Sequence, residues 1–485
     1  MRPFDEIGIV DGRLKLGRRA FIGGLSAALL ASSARAQAGA ARVTVDFEDA
    51  GQPLAPDFIG LSYESAILSP GSYFTPENVT LIALMQALGD AGVLRIGGNT
   101  SERTVWEPAG AAASDAIVIT PKAIDRLAAT LRLLDWQLIY GLNLARGTPE
   151  AAAEEAAYVA RALGPMLLAF QIGNEPDGFG QWTRVRPPAY DVAAFTAECL
   201  RFAAAIRARV PDAAFAGPDV VAAPDWVPAF AAAAPPGLVL LTQHHYAEGP
   251  AGDPRVTLPR LLQTSGEIEP LLRRLAETSR AAHLPYRITE TNSVFNEGEP
   301  GVSDTLGAAL WGLDLMFRCT AAGCAGINFH GGDHNLRPER NKAYTPVMRS
   351  PDGGLRAAPL YYGMLMFAEA GRGSLVPTRL DANPSGLNAF AVRAPDGGLR
   401  VCLINKDSDN AIRASIAPGR RFSAASVLRL TGPAIDAKEG VTLGGAVVDE
   451  AGRWEPTHRE STDQRDGDVI MSIPAASAAL VALRA

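Results

Sequence analysis

Two carboxylates in this sequence each close an apolar run inside a short polar cluster. Glu175 lies in Gln171-Ile172-Gly173-Asn174-Glu175-Pro176-Asp177, and Glu290 in Tyr286-Arg287-Ile288-Thr289-Glu290-Thr291-Asn292. Two carboxyl groups facing one substrate, one kept protonated and the other ionised, are the equipment of glycoside hydrolysis. The acid protonates the leaving oxygen, while its partner attacks the anomeric carbon or activates a water. A gap of about 5–5.5 Å between them gives retention of configuration, and a wider one gives inversion. Pro176 keeps the ladder from continuing beyond the first carboxylate. Asn, Glu and Pro are also ordinary loop residues, so the tripeptide alone is equally a capped loop.

The surrounding elements must bring these groups together. From about Phe58 to His330, short apolar runs alternate with longer stretches of helical period. The expected strands are Phe58–Tyr63, Val93–Gly97, Gln137–Asn143, Leu168–Asn174, Ala214–Gly217, Val239–His245, Tyr286–Glu290 and Gly326–His330. Between them, Thr80–Ala91, Lys122–Leu134, Ala151–Leu163 and Ala189–Val210 carry apolar residues three and four apart. Continuous apolar strands alternating with helices imply a parallel sheet buried on both faces. Eight such units over this length fit an α/β fold of the (β/α)8 TIM-barrel type, which takes about 250 residues. A doubly wound sheet would carry a Gly-rich turn after its first strand. Gly60-Leu61-Ser62-Tyr63-Glu64 is no such turn. In a barrel, strands four and seven face each other across the mouth, and catalytic groups sit at C-terminal strand ends.

After Ala370 the pattern changes to period two. Leu387–Asp407 alternates around Asp396-Gly397-Gly398, a hairpin signal. Further runs follow at Ser426–Leu430, Val441–Val448, Val469–Ile473 and Ala478–Leu483, which suits a β-sandwich. Ala41–Phe47 alternates as well and is placed to lend that sandwich a strand. The expected domains are therefore a leader over 1–36, a sandwich strand over 37–53, a barrel over 54–370 and a sandwich over 371–485.

The leader places Arg18-Arg19 ahead of the apolar run Ala20–Ala31, which is too short to span a bilayer, and Ala34-Arg35-Ala36 reads as a cleavage site. Paired arginines of this kind resemble a twin-arginine signal and imply export to the periplasm or beyond. The whole chain of 485 residues carries a formal net charge of −7, with no basic block, which argues against nucleic acid. No later segment reads as a membrane anchor. The four cysteines are too few for a disulfide framework, and Cys319 and Cys324 fall in an apolar stretch where buried thiols are expected. No His/Asp cluster has metal-ligand spacing, so neither a metal nor a cofactor is expected.

Four segments carry a family resemblance: Phe58-Ile59-Gly60-Leu61-Ser62-Tyr63-Glu64, Leu94-Arg95-Ile96-Gly97-Gly98-Asn99, Gly173-Asn174-Glu175-Pro176-Asp177 and Thr289-Glu290-Thr291-Asn292-Ser293. Asn-Glu-Pro after strand four with a Glu after strand seven resembles clan A of the glycoside hydrolases. The set of segments is similar to family 79 within it, the β-glucuronidases and heparanases. The resemblance implies a retaining exo-β-glucuronidase with Glu175 as acid/base, Glu290 as nucleophile and Asn174 on the sugar 2-hydroxyl. It also points to Tyr344, in Ala343-Tyr344-Thr345-Pro346-Val347, as a holder of the uronic carboxylate, and brings Asn292 into the site.

Other strand ends supply binding candidates: Glu64 after strand one, His244 and Tyr246 at the end of strand six, His330 at the end of strand eight. A phenol near the nucleophile, such as Tyr246, could tune its charge. An acidic residue such as Glu64 at a barrel mouth must be solvated, paired or functional. Arg337, Arg340 and Lys342 either assist the uronic carboxylate or form a solvated charged surface. Trp182 is the candidate for a leaving-group subsite, whereas Trp311 reads as core. The expected partner is a glucuronic acid-containing oligosaccharide or glycoconjugate. The competing readings are an endo-acting glucuronidase, another clan A β-glycosidase, and a carbohydrate-binding protein that has lost catalysis. An acidic pH optimum is expected, because one carboxyl must be protonated while the other is ionised.

Overall fold

A computed structural model describes residues 40–485 except 70–72, 110–116, 234, 335–336, 382–385 and 463. The leader over 1–36 lies outside the described residues. Eight strands close into a parallel barrel: β1 Ile59–Glu64, β2 Val93–Gly97, β3 Gln137–Leu142, β4 Leu167–Ile172, β5 Phe215–Val220, β6 Leu238–Glu248, β7 Tyr286–Val294 and β8 Ile327–Gly331. The order is sequential, with β8 pairing β1 to close the ring. All eight strands were legible as apolar runs, and their bounds shift by a few residues.

Local chemistry sets the helix ends. Thr120 and Thr148 each accept an N–H with their hydroxyl at the start of a helix whose next residue is proline. That pairing fills one orphan donor and removes another. Two expected helices are trimmed. The one read over Ala189–Val210 spans Val192–Arg209, because Asp191 caps Ala194 N. The one read over Thr80–Ala91 ends at Ala87, just before Gly89 with φ 145°.

β7 continues four residues beyond Glu290, so that carboxylate does not end its strand as expected. The pairing with β6 slips there: Gln243 faces Ile288, but His244 faces Glu290. Thr289 is thus the extra residue of a bulge. A bulge re-aims side chains that would otherwise alternate across the sheet. Thr289 can therefore bond Asp219 while its neighbour Glu290 meets Arg95.

The C-terminal region forms two sheets around a second apolar core that includes Val43, Leu403, Ile416 and Val481. Ala40–Val45 pairs Thr378–Asp381 on one side and Ile412–Ala417 on the other, so the N-terminal strand does enter the sandwich. Gln52–Pro53 adds to the opposite sheet beside Ser374–Val376. The expected hairpin forms from Leu387–Arg393 and Leu399–Asn405, with Asp396 accepting Gly398 N in the turn. The run Val441–Val448 shortens to Thr442–Leu443, because Gly444 and Gly445 both take positive φ. All four cysteines are buried free thiols.

Candidate active site

Arg95 is the hub of the barrel mouth. It rises from β2 with only 1% of its surface exposed. Its Nε donates to Gln171 Oε1 at 2.9 Å, its Nη1 to Ser62 Oγ at 3.2 Å and to Glu290 Oε2, and its Nη2 to Asn174 Oδ1 at 2.7 Å and Asp219 Oδ2 at 2.6 Å. Five bonds account for all five N–H donors of a guanidinium. An unpaired buried cation would be prohibitive, so these partners are required rather than incidental. Neither Arg95 nor Asp219 was singled out from sequence as a site residue.

Glu290, almost fully buried, accepts Tyr246 O–H at 2.8 Å on Oε1 and Arg95 on Oε2. Burial pushes its pKa up, but the surrounding His330, His244 and Arg95 charges and the Tyr246 bond hold it well below the carboxylate range. His330 is itself pushed below its ordinary value by burial, against the pull of Glu290. The geometry agrees. Lys342 Nζ, which can only donate, lies 3.1 Å from His330 Nε2, so Nε2 is the acceptor and Nδ1 carries the proton toward Ser62 Oγ at 2.9 Å. At neutral pH, Arg95 and His244 therefore supply the charge that keeps Glu290 ionised.

Glu175 lies three residues past β4 in a left-handed conformation, φ 47°, with its N–H on Asp219 O at 3.0 Å. A non-glycine residue there costs about 1–3 kcal/mol, a strain that clusters at functional sites. Burial raises its carboxyl pKa, with nearby Glu290 adding to the rise and His244 opposing it. His244 Nδ1 is 3.0 Å from Glu175 Oε1. Its Nε2 lies 2.9 Å from Asp219 Oδ1 but off the line of its N–H, so that contact is an ion pair rather than a hydrogen bond. Although burial opposes its charge, Asp219 and Glu290 bring the His244 pKa up to about 10. The Glu175–His244 pair thus stores a proton a few ångströms from the ionised Glu290.

The remaining candidates take varied places. Asn174 is fixed by Arg95 and by its own N–H on Glu102. Glu64, at the end of β1, accepts Thr100 N and Oγ1 at 2.8 and 2.7 Å and faces Lys342 Nζ at 3.9 Å. Burial opposes its charge, but Lys342 and His330 bring it down to about 2. Lys342 is therefore a buried member of this cluster, not a solvated surface charge. The side chains of Arg337 and Arg340 lie outside the described residues. Tyr344 is buried beside Tyr246 and His330, with ring centroids 6.1 Å from each. Asn292 has its amide engaged by the carbonyls of His330 and Tyr344, so it anchors the β8 loop from beneath. Trp182 is half-exposed in the loop after β4, and Trp311 is core, bonded to Thr264.

Glu175, His244 and Glu290 present ligand atoms within 4.8 Å of one another, a spacing a cation could use. However, both oxygens of Glu290 and both nitrogens of His244 are already engaged, and the Arg95 guanidinium would repel a second cation. The donor set suits proton transfer.

The model of the glycosyl hydrolase family 79 C-terminal β domain matches residues 389–480, within the sandwich. A β-glucuronidase of Aspergillus niger is 26% identical over 90% of this chain and 92% of its own length. The chain is similar to glycoside hydrolase family 79. Its fold is that of solved clan A enzymes. A 4-O-α-L-rhamnosyl-β-D-glucuronidase of Fusarium oxysporum aligns with TM-score 0.74 at 19% identity, over 90% of this chain and 99% of that one. A family 51 arabinofuranosidase of Xanthomonas axonopodis aligns with TM-score 0.68 at 16% identity, over 92% and 100%. The chain is a glycoside hydrolase, with the barrel-plus-sandwich layout its sequence implied.

Proposed function

We propose that this chain is a family 79 enzyme and a retaining exo-β-glucuronidase. The observation that carries the mechanism is the opposite bias on two neighbouring carboxyls, Glu175 raised and Glu290 lowered. Their ligand atoms lie within 4.8 Å of one another. That is too close for the intervening water of an inverting enzyme, whose carboxyls stand about 6.5–9.5 Å apart. Glu290 attacks the anomeric carbon as Glu175 gives its proton to the leaving oxygen, and a glycosyl ester forms on Glu290. Water, deprotonated by Glu175, then displaces the ester. The proton taken from that water returns Glu175 to its protonated state. Asn174, held by Arg95, is placed for the sugar 2-hydroxyl, a contact that strengthens in the transition state.

The glucuronide assignment rests on the likeness to the Aspergillus niger β-glucuronidase. Tyr344, and the buried cation Lys342 beside it in the loop after β8, are the candidates for the uronic carboxylate. The paired arginines of the leader favour an exported enzyme, which cell fractionation would test. For the mechanism, the test is trapping with a 2-deoxy-2-fluoroglucuronyl fluoride. Label recovered on the peptide containing Glu290, with β product seen first by NMR, is expected. α Product seen first would contradict retention.

A further inference from the structure

Glu102 belongs to the 3-10 turn Asn99–Arg103 that follows β2, yet its carboxylate bonds two other segments. Oε1 accepts Asn174 N at 2.6 Å, and Oε2 accepts Leu144 N at 3.0 Å and Ala145 N at 2.6 Å. One side chain therefore joins the exits of β2, β3 and β4. We propose that Glu102 is a positioning residue for the acid/base: it clamps the backbone that carries Asn174 and Glu175. The inference deepens the hydrolase reading above and rests on it.

Three further observations support the clamp. The β3 exit is held from its other edge, since Arg186 donates to Ala145 O at 2.9 Å and Leu144 O at 3.1 Å, while Glu198 holds Arg186 at 3.2 Å. That loop cannot yield to compensate for a displaced Asn174. Gly173 also lies flush on the shelf: a Cβ there would stand 2.9 Å from Leu144 Cδ2 and 3.6 Å from Glu102 Oε1. Finally, three N–H donors require acceptor oxygens, which an ionised carboxylate supplies and a protonated one supplies less well. Burial raises this carboxyl to about 7, with the three N–H bonds and Arg186, the cation facing it, pulling the other way. Proton uptake by Glu102 in mild acid would loosen the same segment.

The test compares Glu102→Gln with wild type on two aryl glycosides of the sugar the wild type hydrolyses. One has a poor leaving group, 4-methylumbelliferone, and the other a good one, 2,4-dinitrophenol. In the glycosylation step, which kcat/KM reports, a misplaced acid harms only the substrate that needs a proton. The expected kcat/KM loss is on the order of 10²-fold for the first and much smaller for the second, and the acid limb of the pH profile should change shape. Equal losses on both substrates, or none on either, would overturn the clamp. Should Glu102→Gln fail to fold, Glu102→Asp decides, with the same leaving-group contrast expected. Insolubility of both would mark the residue as structural only. A sugar other than glucuronic acid would sink the substrate assignment and leave the clamp intact, whereas a wild type inactive on every aryl glycoside would sink both.

Discussion

Tyr246 donates its phenolic O–H to Glu290 Oε1 at 2.8 Å, while Arg95 takes the other oxygen of the same carboxylate. The proposed nucleophile is therefore held on both sides, with its carboxylate oriented before substrate arrives. Tyr246→Phe removes one charge-assisted bond, which is worth about 1.5–3 kcal/mol. A fall in kcat/KM of roughly 10- to 100-fold is expected, with little change in melting temperature. Steady-state kinetics beside a thermal melt checks this. A loss confined to stability would contradict the role.

Arg95 should behave differently, because five partners depend on it. Arg95→Ala leaves the carboxylates of Asp219 and Glu290 buried without the guanidinium that bonds them both, with His244 remaining as a cation beside them. Breaking a buried pair in this way typically costs about 3–5 kcal/mol, so chemical denaturation should show that loss together with abolished activity. Arg95→Lys keeps the charge but loses the planar fork, and should recover part of the stability and little of the activity.

His244 links stability to pH. Its pKa is raised in the folded protein, to about 10, over its ordinary 6.5. Its contribution is therefore fully present below about pH 6.5 and is lost as pH rises toward 10. The melting temperature should fall across that window, and His244→Gln should flatten the fall. An unchanged slope in the variant would show that other groups carry it.

Glu175 has its pKa raised and Glu290 its pKa lowered, so the active ionisation state spans the interval between them. Activity should decline on the alkaline side as Glu175 loses its proton, giving an optimum at acidic to neutral pH. A kcat/KM profile that peaks well above neutrality would contradict this assignment.

The two carboxylates were legible because each closes an apolar run of sequence, although Glu290 proves to lie within its strand, and the eight strands because burial on both faces leaves continuous apolar runs. Arg95 was harder to see, since Leu94 and Ile96 flank it and the run reads as a core strand. A charge in such a run is nonetheless a signal, because it must find partners. Asp219 was hidden in Gly217-Pro218-Asp219, which reads as a turn. Lys342 looked like part of a charged loop, and only the fold shows Glu64 and His330 around it. The bulge at Thr289 depends on the register between β6 and β7, a relation between strands that neither strand carries alone. The sandwich strand Thr378–Asp381 went unread because Leu380 is its one apolar side chain, whereas Ile412–Ala417 does alternate in period two and carried a signal that was passed over.

The most direct measurement is hydrolysis of aryl β-glucuronide beside aryl β-glucoside and β-xyloside, with wild type, Glu175→Gln and Glu290→Gln. A retaining β-glucuronidase should prefer the glucuronide strongly. It should lose all turnover in Glu290→Gln, and in Glu175→Gln lose most where the leaving group is poor. Activity on a neutral sugar alone, or full activity in Glu290→Gln, would contradict it.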